Sequence, residues 1–66
     1  MQEKFKIGSL VRRKTFRGAL GVLHTPRFYG VITRIDAEGQ FQVTFITANG
    51  QTFKQFLVAN ELNLLY

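Results

Sequence analysis

The sequence predicts an all-β domain, a small closed barrel of five short strands, and three observations carry that prediction. Apolar and polar residues alternate over short runs, most regularly in Phe41–Ile46. Sharp turn signals flank that run, Asp36 to Gly39 on one side and Asn49-Gly50 on the other. The chain is 66 residues long and has no cysteine, so one core with neither disulfide nor thiolate metal ligation must hold it together. Strands this short do not make a stable flat sheet in so small a chain, and curling into a barrel removes their exposed edges.

The elements follow in order. Residues 1–6 read as a mobile tail of the single domain 1–66. A first strand over residues 9–14 places Leu10 and Arg12 on one face and Val11 and Arg13 on the other. A long connection, Arg17 to Gly30, carries the only proline and the only histidine. The second strand covers residues 29–36, and its Ile32 and Ile35 both look inward although three apart, which a bulge near Thr33 reconciles. After the Asp36 turn, Phe41, Val43 and Phe45 face in while Gln42 and Thr44 face out. The Asn49-Gly50 hairpin returns the chain as a strand over residues 51–57. A single helical turn over residues 58–62 exposes Asn60 and Glu61, and the closing residues 62–66 form the last strand.

Charge is unevenly placed. Through Arg34, eight Lys and Arg face Glu3, a balance of +7; thereafter Lys54 faces Asp36, Glu38 and Glu61, a balance of −2, and the two make the net +5. A basic half attracts phosphates, anionic lipid headgroups or an acidic protein surface. The N-terminus interleaves charge with each apolar residue and no run approaches a membrane span, so the sequence predicts a soluble cytoplasmic protein without an export signal or membrane insertion.

Catalysis is excluded by a shortage of partners. The lone His24 has no cysteine, second histidine or nearby acid, and the four carboxylates lie in a tail, a turn and a helical turn. No catalytic residue, metal site or cofactor is expected. Gly18-Ala19-Leu20-Gly21 has the spacing of loops that approach phosphate backbones, but without flanking helices it reads as glycines shaping a loop while Leu20 and Val22 tuck onto the barrel.

The order of these segments resembles the SH3-like small-barrel superfamily over nearly the whole chain: Gly8-Ser9-x-Val11-Arg12 is similar to its opening strand, Tyr29-Gly30-Val31-Ile32 to its second, Val43-x-Phe45 to its centre and Asn60-Glu61-Leu62 to its last helical turn. Within it the pattern is similar to the stromal-side PsaE family of photosystem I, to ferredoxin-docking subunits of the photosynthetic NDH complex and to small proteins of tailed phages. The photosynthetic families imply a basic platform for an acidic partner on the stromal side of a membrane; the phage proteins imply a host cytoplasm. The connection carrying Gly18 to Phe28 departs from the shorter, aromatic-rich segment of the photosynthetic families.

Function therefore rests on a cluster expected where the long connection folds back: Arg12, Arg13, Lys14, Phe16, Arg17, Arg27, Phe28, Tyr29 and Arg34, with Leu20, Val22 and Leu23 at the loop. The first reading is a non-enzymatic module docking through this basic face onto an acidic protein or larger assembly. The second is a nucleic-acid-binding accessory protein, with cations on phosphates and a ring from Phe16, Phe28 or Tyr29 under a base, two of those three rings being buried. The third is a structural component of a homo-oligomer or phage particle, favoured if the loop leucines point away from the protein's own core.

Overall fold

The computed structural model describes residues 4–65. Strand β1 is Leu10–Arg13, β2 Phe16–Arg17, β3 Leu23–His24, β4 Tyr29–Ile35, β5 Phe41–Ile46, β6 Thr52–Leu57 and β7 Leu62–Leu64. Two short 3-10 turns, Ala19–Gly21 and Ala59–Glu61, are the only helical pieces among the described residues. The domain is all-β, with every strand pair antiparallel.

Five strands form one sheet in the order β6-β5-β4-β1-β7, and β2 with β3 makes a separate two-stranded ribbon. The closure expected of a barrel is not made among the described residues, since β6 and β7 stand at opposite ends of the sheet order. A 3-10 turn instead of a tight hairpin joins them, and the ladder of β7 runs to β1 alone.

The alternation in β5 works as the sequence predicts: Phe41, Val43 and Phe45 are buried, and Gln42 and Thr44 point the other way. With Val11, Ile32, Leu57 and Leu62 they form the core. Gly30 is required where it stands, because a Cβ there would meet Val43 Cγ1 at 2.6 Å and Phe45 Cδ1 at 2.7 Å. Both hairpins around β5 turn through glycines in the left-handed region, Gly39 and Gly50, each at φ 86°.

The bulge falls where Ile32 and Ile35 require it. Register shifts between Ile32 and Arg34, Thr33 is left out of the ladder, and Ile35 comes opposite the buried Phe41. Ile35 reaches the core side only at its rim, however, and stays 37% exposed, so the burial expected of it is not reached. At the N-terminus, Phe5 packs on the Phe41 ring at 5.3 Å, and the Lys6 N–H donates to Ser9 Oγ. That part of the expected tail is therefore tied to the core; its first three residues and the final Tyr66 lie outside the described residues.

Candidate functional site

The connection after β1 is built as an arm. Phe16 pairs with His24 and Arg17 with Leu23, and beyond them the Gly18 N–H donates to the Val22 carbonyl at 2.7 Å, closing a five-residue tip. Side chains tie the arm together. Thr15 and Thr25 share a hydrogen bond at 2.9 Å, and the Phe16 and His24 rings stack at 5.3 Å. Gly18 leaves room for that histidine, since a Cβ would sit 2.6 Å from His24 Nε2.

Between this arm and β6 lies a groove of about 380 Å³. Its arm side is Phe16, His24, Thr25 and Pro26; its sheet side is Arg13, Phe28, Phe53 and Gln55. Phe28 floors it by meeting Phe45 and Phe53 edge-on, each at 5.3 Å, the geometry that ring quadrupoles favour. The floor is thus continuous with the core.

Arg13 enters from the core side of β1, opposite Leu62, and lays its guanidinium carbon 3.9 Å from the centre of the Phe16 ring. That contact contributes about 0.5–2 kcal/mol. Its Nε is buried without a hydrogen-bond partner, which costs about 1–3 kcal/mol and so offsets the gain. Arg13 is therefore a poor stabiliser and a well-held charge.

The tip answers which way the loop leucines point. Leu20 is 100% exposed, and Val22 and Leu23 are more than half exposed. Leu20 and Val22 do not tuck onto the sheet as expected. Leu20 also adopts φ 63°, a left-handed conformation that costs a side-chain-bearing residue about 1–2 kcal/mol. No burial within the chain offsets that cost. The Arg17 guanidinium holds the bend by donating to the Gly21 carbonyl at 3.0 Å.

The single cluster expected from the sequence is divided by the sheet. Arg13, Phe16 and Phe28 meet in the groove; Lys14 borders a neighbouring hollow with Asn60 and Glu61; Arg17, Leu20, Val22 and Leu23 form the arm, and Arg27 is exposed on its return. Arg12, Tyr29 and Arg34 belong to the other face, where Arg12 lies opposite Tyr29 with its guanidinium 5.8 Å from the ring, and Arg34 lies opposite Gln42 beside Phe56. Strand alternation separates Arg12 from Arg13, and the length of β4 carries Arg34 away. Of the three candidate rings, Phe16 and Phe28 are half-buried and Tyr29 is exposed, so none is enclosed.

Sequence reasoning missed His24, Pro26, Phe53 and Gln55 as groove walls. The signal for Phe53 was present: Phe53 and Phe56 are three apart in one strand, which sends one ring to each face. The acids are occupied nearer home. Asp36 Oδ1 accepts from the Glu38 and Gln40 N–H groups, and Glu61 Oε1 caps the Val58 N–H, so Glu61 does not hang free as expected. No group of three or more metal-ligating residues occurs among those described, and no helix is long and apolar enough to cross a membrane. Compared with protein-family models, with curated proteins and with solved structures, the chain shows no match.

Proposed function

We propose that the protein is a non-enzymatic docking module that seats its arm and groove on an acidic protein surface. The observation that carries this reading is Leu20, an aliphatic side chain held wholly in solvent in a conformation that costs free energy. Such a residue gains only when something covers it. Between Lys4 and Ile35 there is no acidic residue, so the arm presents an apolar tip on a wholly basic base, and carboxylates are what that base attracts. Aliphatic side chains offer no ring for a nucleobase to stack on, which favours protein over nucleic acid for the arm.

The sheet order, the long connection after the first strand and the 3-10 turn before the last support an SH3-like small barrel as the scaffold.

Quantitative capture of proteins from the native source tests the reading. Arg13→Glu with Arg17→Glu, and separately Leu20→Asn, should each remove the same acidic partner while circular dichroism stays unchanged. Equal recovery by all three proteins would sink it. A mass at high concentration that shows a defined oligomer, lost in Leu20→Asn, would assign the arm to self-assembly instead.

A further inference from the structure

The outward face of the sheet, turned away from the groove, carries a second set of residues that the arm does not use. Register fixes its make-up. One rung runs from Arg12 through Tyr29 to Ile46, the next ends at Lys54, and a third runs from Arg34 through Gln42 to Phe56. Tyr29, the first residue of β4, is 51% exposed and Phe56, the last but one of β6, 58%, large apolar surfaces left in water on the sheet. About half of each ring is left uncovered by the described residues, and each has a cation beside it: Arg12 at Tyr29, and Arg34 at Phe56 in a shared hollow.

No outward residue of β1, β4, β5 or β6 is acidic. Asp36, just beyond β4, lines the hollow of Arg34 and Phe56, and there its Oδ1 is taken up by the Glu38 and Gln40 N–H groups of its own loop. The three cations would repel the same face of a second copy, which argues against self-pairing here.

We infer that this face binds single-stranded nucleic acid, with bases stacked on Tyr29 and Phe56 and phosphates on Arg12, Lys54 and Arg34. The two rings are two strands apart and four residues along, a separation of about 16 Å at ordinary strand spacings. A segment of about 4 nucleotides, the lower end of single-strand site sizes on small domains, covers that distance. Lys54 lies between the rings, where the connecting phosphates pass. Flat π-faces alternating with cations suit bases and phosphates in sequence, and no backbone hydrogen-bond code is needed. Phe56 stands on β6, an edge strand of the sheet among the described residues.

The test is fluorescence anisotropy with a labelled twelve-nucleotide oligo-dT at several salt concentrations. Three phosphate contacts give a log–log salt slope of about −2, and Lys54→Gln reduces its magnitude by about 0.7. Tyr29→Leu and Phe56→Leu should each weaken binding about 5- to 150-fold. Arg13→Glu, on the opposite face, should change it less than about twofold. Lys54→Gln sits on an exposed strand surface and keeps the test valid if a ring variant folds poorly. Absence of binding at low salt overturns the inference. So does binding that ignores Tyr29, Phe56 and Lys54 but falls with Arg13→Glu. Poly-glutamate bound in place of the oligonucleotide, with the same dependence on Phe56, would give the face to an acidic protein.

Discussion

The five-stranded sheet and the two-stranded arm solve opposite problems with the same alphabet. In the sheet, β5 exchanges six residue pairs with each neighbour, and Val11, Ile32, Val43 and Phe45 are fully enclosed. The arm has two residue pairs and not one buried residue. It keeps its shape through a ring stack, a cation on a ring, a threonine pair and a carbonyl bond at the tip. Each is worth about 2 kcal/mol or less, so the arm cannot stand without the sheet. The difference teaches that stability is concentrated where no partner reaches, and apolar exposure where one can.

Three substitutions bear on that division, the largest first. Phe45→Ala removes the central enclosed ring, on which Phe28 and Phe53 also lean, and should cost about 3–5 kcal/mol in denaturant unfolding. For a domain this small that leaves little folded protein. Gly30→Ala forces a methyl against Val43 and Phe45 and should cost about 1–3 kcal/mol, read as a thermal midpoint lower by about 4–8 °C for each kcal/mol. Leu20→Asn should do the reverse. Asparagine tolerates the left-handed conformation, so stability should rise slightly, by no more than about 1 kcal/mol, and the midpoint with it, although a leucine has been lost. A fall on that substitution would show the tip to be part of the fold, and the division between sheet and arm would collapse.

The sheet was readable in advance because its cues are local and repeated. Phe41–Ile46 has clean alternation, Asn49-Gly50 dictates its turn, and the three-residue step from Ile32 to Ile35 locates the bulge. Ile35 was harder, because which inward residue sits at the rim depends on what packs over it. The first strand is shorter than read: Ser9 bends back to Lys6, although its carbonyl still accepts from Ile32. The arm was illegible for a different reason, since strands of two residues have no period to detect. The direction of Leu20 depends on one backbone angle that leucine itself disfavours. The candidate site is half legible: its residues can be named, but alternation read within β1 and β5 has to be carried across to β4 and β6 before it divides them between the two faces.

The hydrogen bond from Gly18 to Val22 closes the tip below Ala19, Leu20 and Gly21, and the register of Phe16 with His24 and Arg17 with Leu23 lies beneath it. The residues between those two anchors answer to no part of the core. Ala19 and Leu20 behave as a cassette, open to exchange while groove and sheet stay as they are, with Gly21 kept for its φ of 75°. A lineage carrying this scaffold could therefore change partners by rewriting two positions, and an engineer could do the same.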